Sequence, residues 1–344
     1  VVGLIDDVVQ IRPLTKLVAQ IVAAGGSVAA GLVLPWTHEP VIDAATDLCW
    51  RQWGAIASGA PGGTARTIID PEALLIASLV LCDREPRLGE LVDWFVISLS
   101  QVLSVGRTRR LATNLTPDVE NRLKYVAGLA VTHGRDARWK KLDPPIKPAL
   151  RGSLQMRAVM KPRYQDPAAL VFRLRMGFGV GIKADALAFL LGTDHWCTTR
   201  EIGEATAWNP VAVRRALDDL VLAGFIESSA PVEWQTTRST QYRADRGKWR
   251  AAAHLDEHCR WGYHKDRFAL AIRAAQLLDT GNAAQQLDAL SLGDWAQNWT
   301  RRYGAAFRFG EAEPKSLLRG KLEEQGAQFQ TDIVRLADWM REEG

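Results

Sequence analysis

Apolar positions along most of this chain recur at three- and four-residue steps, the period of a helix with one buried face. The trio Asp70-Pro71-Glu72 predicts a helix start, with Asp70 as N-cap and Pro71 at the first helical position; the apolar run ALLIASLVL follows. A second long helical pattern covers Leu88 to Val105 through ELVDWFVISLSQVL. Near the C-terminus, Phe329, Ile333, Leu336 and Met340 form a stripe that needs a partner. The protein's own core is the expected partner, with a dimer seam as the other way to cover it. These patterns predict a mainly α, multi-domain protein. The expected units are an N-terminal helical domain (1–133), a connector (134–178), a compact domain (179–247) and a C-terminal helical domain (248–344).

The compact domain carries the most detailed local signals. Ala184, Leu187, Ala188 and Leu191 mark a short helix, Gly192-Thr193-Asp194 turns it, and His195-Trp196-Cys197 suits a short strand. Thr198 and Glu201 have capping-box spacing, and Ile202 and Ala205 would point inward from the helix they open. Thr206-Ala207-Trp208 is a tight connection to a second helix, expected over 210–223. Asn209 caps it, Pro210 suits its first position, and Val213, Leu217 and Leu220 form its buried stripe. Gly224 fits the left-handed position after the helix. A strand over Phe225–Ser229, a polar loop at 230–239 and a returning strand at Thr240–Arg243 complete the pattern.

The residues TTREIGEATAWNPVAVRRALDDLVLAGFIE and the later QYRAD resemble the winged helix-turn-helix domain of bacterial regulators of the MarR and ArsR type. The likeness covers about residues 180–245, a fifth of the chain. It implies three helices plus a β-hairpin wing, double-stranded DNA as the partner, and helix 210–223 in the major groove. Carried over to this sequence, Asn209, Val211, Ala212, Arg214 and Arg215 meet the groove. Arg215 is expected on a base and Arg214 on a phosphate. Thr198 and Thr199 would meet a phosphate through backbone N–H groups, and Arg238 on the wing would reach the backbone or minor groove. Pro210, Val211 and Ala212 offer few hydrogen-bonding groups, Asp218 and Asp219 add acid on later turns, and Glu233 lies in the wing. A winged helix also serves as a protein-interaction module. A role of that kind in a toxin–antitoxin or defence assembly is the alternative to a DNA-binding transcriptional regulator.

At 344 residues, with 47% hydrophobic and 24% charged positions, the chain is long enough for a full core. The net charge of +4 is compatible with nucleic acid without requiring it. Segment 134–167 holds nine basic residues against three acidic ones and five prolines, which suits a solvated connector or a phosphate-contacting strap. Cys49, Cys82, Cys197 and Cys259 are far apart with no CxxC pair, so a reducing, cytoplasmic location is expected. Segment 17–37 is uncharged and long enough to span a bilayer, but Gly25-Gly26-Ser27 breaks it; it is expected to be two buried helices rather than a membrane segment.

Three further motifs lack the spacing or setting that their chemistry requires. Gly177-Phe178-Gly179-Val180-Gly181 lacks dinucleotide-loop spacing, and GAPGGT at 59–64 has no lysine after its glycines. His254, His258, Cys259 and His264 form the densest set of metal-ligand residue types, yet they read as ordinary side chains behind Trp249 and Trp261. No catalytic constellation is recognised, so no enzymatic activity, cofactor or metal is expected. The flanking helical regions would supply homodimerisation, effector sensing or partner docking.

Overall fold

The computed structural model describes residues 39–113, 115–142, 144, 160–230, 240–256, 259–279, 304–308 and 322–342. Segment 17–37, His258 and the loop 231–239 with Arg238 and Glu233 therefore lie outside the described residues. The first helix is α1 (Glu39–Ile56), followed by the two-residue strand β1 (Thr67–Ile68). Next come α2 (Pro71–Leu81), α3 (Arg87–Leu99), α4 (Val105–Leu111) and α5 (Pro117–Thr132). The chain is mainly helical, and no described helix is long and apolar enough to cross a membrane.

Local signals explain most of these bounds. Asp70 caps α2 by accepting a hydrogen bond from the Ala73 amide at 3.1 Å, with Pro71 behind it. The helical pattern expected over Leu88–Val105 is divided in the structure. Helix α3 stops at Leu99, a 3-10 turn covers Ser100–Val102, and Ser104 caps α4 through the Arg107 amide. A hydrophobic count does not register this break, because Val102, Leu103 and Val105 remain buried on both sides of it.

Segment 134–178, expected as a connector, is built into the fold where it is described. Trp139 is buried in the 3-10 turn Ala137–Leu142, and Met160 accepts a hydrogen bond from Trp94 Nε1. Helix α6 (Leu170–Phe178) buries Leu170, Val171, Phe172 and Leu174. Gly179 ends it at φ +80°, a conformation that suits glycine, and turns the chain into α7 (Ile182–Leu191). Every α7 residue from Ala184 to Leu191 is buried, because α6, α8 and α9 surround it.

The following elements are β2 (Cys197–Thr198), α8 (Thr199–Thr206), α9 (Pro210–Leu222), β3 (Glu227–Ser228) and β4 (Gln241–Arg243). The strands form one antiparallel sheet in the order β2-β4-β3, pairing Cys197 with Tyr242 and Glu227 with Arg243. After α10 (Arg246–Trp249) and β5 (Arg260–Trp261), helices α11 (His264–Asp279) and α12 (Leu322–Glu342) return to the N-terminal helices. Strand β5 pairs in parallel with β1. Helix α11 packs on α1 and α2, and α12 packs along α1. The stripe Phe329, Ile333, Leu336 and Met340 is buried in this way. Segments 1–133 and 248–344, expected as separate domains, thus contribute to one core where described.

A buried ionic network sits where α2, α4, α6 and α7 meet. Glu72 receives Arg107 Nη1 at 2.6 Å on one oxygen and Arg175 at 2.5 Å on the other. Arg107 also holds Asp70 with two bonds of 2.5 Å, and Arg175 holds Asp185 at 2.7 and 3.0 Å. All five residues are almost fully buried. Burial pushes the Asp70 and Glu72 carboxyls up, but the arginine charges and hydrogen bonds outweigh it and hold both below their ordinary values. Further bonds tie the network to main chain: Arg107 Nε donates to Thr206 O, Arg175 Nη1 donates to Val102 O, and Glu72 Oε1 accepts from the Ser104 amide.

Removing one partner from such a network leaves buried charge uncompensated. Glu72→Gln should therefore lower unfolding free energy by about 3–5 kcal/mol in urea titration. Glu39→Gln, which removes the half-exposed pair with Arg84, should cost no more than about 1 kcal/mol. Equal effects from the two variants would contradict this account of the network.

His264 supplies a pH test. It is buried with Nε2 2.9 Å from Thr67 Oγ1, while Nδ1 has no hydrogen-bond partner among the described residues. Burial first, then the nearby Arg267 charge, pushes its pKa from 6.5 down to about 3. Below pH 6.5 the unfolded chain takes a proton that the folded chain refuses, so this stability is present above 6.5 and is lost as pH falls toward 3. The expected slope is about 1.4 kcal/mol per pH unit. Between pH 5.5 and 4.5, His264→Gln should reduce the pH dependence of the unfolding free energy by about that amount; an unchanged slope would refute the assignment.

Candidate nucleic-acid interface

The α8–α9 pair is assembled by close backbone approach. Gly203 lies against the connection: a Cβ there would fall 2.8 Å from the Trp208 carbonyl oxygen, so only glycine fits without movement. Ala207 takes the left-handed conformation at φ 57° to make the turn, a cost that a non-glycine residue bears only when its surroundings fix it. Those surroundings are the network. Thr206 O accepts from Arg107, and Trp208 Nε1 donates to Asp185 Oδ2 at 2.8 Å. Arg110 of α4 stacks over the Trp208 ring at 4.4 Å.

Helix α9 begins as its sequence predicts. Asn209 Oδ1 accepts from the Val211 amide at 2.9 Å, and Pro210 follows. Val213, Leu217 and Leu220 are buried, and Gly224 at φ +73° ends the element. Val211 is 65% exposed, Ala212 and Arg214 are half-buried, and Arg215 is exposed. The two arginines differ in their partners. Arg214 leans toward Asp218 at 3.9 Å, whereas Arg215 makes no ion pair among the described residues.

The acid on the later turns of α9 is engaged inside the unit. Asp218 accepts from the Tyr242 hydroxyl at 3.0 Å, and Asp219 pairs with Lys183 at 2.8 Å. Burial, then Asp218, raises the Tyr242 pKa, so that hydroxyl stays a donor. The start of α9 therefore presents Asn209, Val211, Ala212 and Arg215 on one outer side, with the carboxylates tied down behind them.

The first helix of the pair differs in detail from the expected capping box. Thr198 Oγ1 accepts from the Glu201 amide at 3.2 Å, which is one half of it. The Glu201 carboxylate turns instead to His195 at 3.0 Å and Arg308 at 3.4 Å. Thr199 is the first helical residue and is half-buried. Thr198 also pairs with Gln241 across the sheet, so its position depends on β4. The strands expected on either side of the wing are present as β3 and β4, shorter than expected; the wing loop itself is outside the described residues.

His254, Cys259 and His264 do not converge. His264 is buried against Thr67, His254 is exposed on left-handed backbone, and burial pushes the Cys259 thiol up to about 12. Among the described residues, His195, Cys197 and Glu201 do place ligand-type atoms within 4.8 Å of one another. This set is satisfied internally: Glu201 is shared by His195 and Arg308, and burial raises the Cys197 thiol to about 12. A cation would have to displace Arg308 and deprotonate a buried thiol.

The feature that sequence reasoning missed is the contribution of α4 to this region. Its sequence VGRTRRL buries Arg107 and leaves Arg109 and Arg110 exposed, one of them on Trp208. The alternation was visible, but its location beside α9 depends on the long-range pairs of Arg107. Comparison with protein-family models, with curated proteins and with solved structures finds no match for this chain.

Proposed function

We propose that residues 179–247 form a winged helix-turn-helix unit and that the protein is a cytoplasmic transcriptional regulator binding double-stranded DNA. Helix α9 enters the major groove, with loop 230–239 as the wing. The observation that carries this reading is the exposed start of α9, where Arg215 is engaged by no described carboxylate while Asp218 and Asp219 are held by Tyr242 and Lys183. A guanidinium so placed can reach O6 and N7 of a guanine with two hydrogen bonds. Val211 and Ala212 offer apolar contact to a thymine methyl. Arg214, partly drawn to Asp218, takes a phosphate. The amide groups at the start of α8, beginning at Thr199, suit a second phosphate.

A second reading rests on a different observation. Leu222 is 74% exposed, Met176 49% and Phe225 40%. Phe225 also joins Phe178 and Trp249 in an aromatic trio with ring centroids 5.4–6.2 Å apart. Such apolar surface suits a protein partner, as in a toxin–antitoxin or defence assembly.

The two readings separate on duplex binding. The protein should bind random duplex with a steep salt dependence and bind a site selected from a random library more tightly. Arg215→Ala should cost about 1–3 kcal/mol on the selected site and relax preference at one base pair, leaving random-duplex affinity nearly unchanged. Arg214→Ala should weaken both duplexes alike. If both variants bind like the parent, the exposed face of α9 serves a protein partner instead.

A further inference from the structure

A second basic surface borders the 179–247 unit, its cations supplied by residues outside that unit. A cleft of about 260 Å³ opens between α4, the turn at 137–142 and the residue pair ahead of α7. Arg109, Arg138 and Lys141 line it together with Ser104 and Val180, and no carboxylate is among its described lining residues. Arg138 is fixed in place by Asp136 at 2.6 Å and by the Ser100 carbonyl at 3.0 Å, so its charge is partly answered. Arg109 and Lys141 are exposed and form no ion pair among the described residues. The helical step explains the arrangement: residues 107 and 109 point about 200° apart, so burying Arg107 in the network turns Arg109 outward. Its neighbour Arg110 lies on Trp208, one residue before the cap of α9. The cleft meets the unit at Val180, ahead of α7.

We propose that this cleft takes backbone phosphates of the duplex next to the base pairs under α9. The DNA footprint would then extend from the helix-turn-helix unit onto α4 and the 137–142 turn. The inference rests on the DNA-binding reading and adds to it a phosphate-contacting surface supplied by another part of the chain. At about 260 Å³ the cleft is smaller than the roughly 300–1,000 Å³ of small-molecule pockets. Its exposed cations suit a polyanion that lies across them. Arg138 and Lys141 belong to the basic stretch 134–167, and these two members of it would face phosphate.

The test uses the full chain with Arg109→Gln and Lys141→Gln combined, a change confined to exposed side chains. Affinity for random duplex is measured from 50 to 200 mM salt, alongside the parent and Arg215→Ala. Losing two phosphate contacts should reduce the log–log salt slope by about 1.8, so the affinity lost across that range shrinks about tenfold. Base preference on the selected site and the melting temperature should stay the same. The charge-preserving pair Arg109→Lys and Lys141→Arg should restore the slope. An unchanged slope in the glutamine variant, with Arg215→Ala still losing site preference, would overturn this inference and leave the DNA-binding reading standing. Absence of salt-dependent duplex binding by the parent would overturn both.

Discussion

The carboxylate of Glu72 meets two arginines from different helices in a site closed to water, and the placement of the C-terminal half of the fold depends on it. Three carboxylates and two guanidinium groups cannot be buried there unless each finds its partners within hydrogen-bond distance. Asp70 and Glu72 come from α2, Arg107 from α4, Arg175 from α6 and Asp185 from α7. A slip of any one helix would strand a charge. Such a network adds little net stability over apolar packing, but it penalises other arrangements strongly. Here the penalty fixes α7, and with it α8 and α9, against the N-terminal helices.

The network extends to the proposed interface through two short contacts. Arg107 holds the last carbonyl of α8, and Asp185 holds the indole of Trp208. The left-handed turn at Ala207 lies between them, and Asn209 begins α9 directly afterwards. The same arginine that closes the turn also sets the orientation of α4, so Arg110 reaches Trp208 ahead of α9 and Arg109 faces outward. The basic surface and the interior charges are thus two consequences of one helix, VGRTRRL.

What the sequence made legible was local. Asn209-Pro210, the Val213–Leu217–Leu220 stripe and Gly224 bound α9 because caps, stripes and left-handed glycines act within a few residues. Asp70-Pro71-Glu72 was readable as a helix start for the same reason. The second use of Asp70 and Glu72 was not, since their arginines stand 35, 37 and 103 residues away. The basic, proline-containing character of 134–167 suggested a solvated connector, yet Trp139 and Met160 anchor it in the core. Helix α3 read too long because apolar residues continue across the break before Ser104. Of the candidate site, the residues on α9 were legible; the contribution of α4 was not, because only tertiary packing brings it there.

Amide hydrogen exchange with and without random duplex is the direct test of the proposed DNA contact. Added duplex should slow exchange in peptides covering Thr199–Glu201, Asn209–Arg215 and Val105–Leu111, and leave the α1 peptides Glu39–Ile56 unchanged. Unaltered exchange at the start of α9, or protection confined to the apolar surface around Phe225 and Trp249, would contradict it.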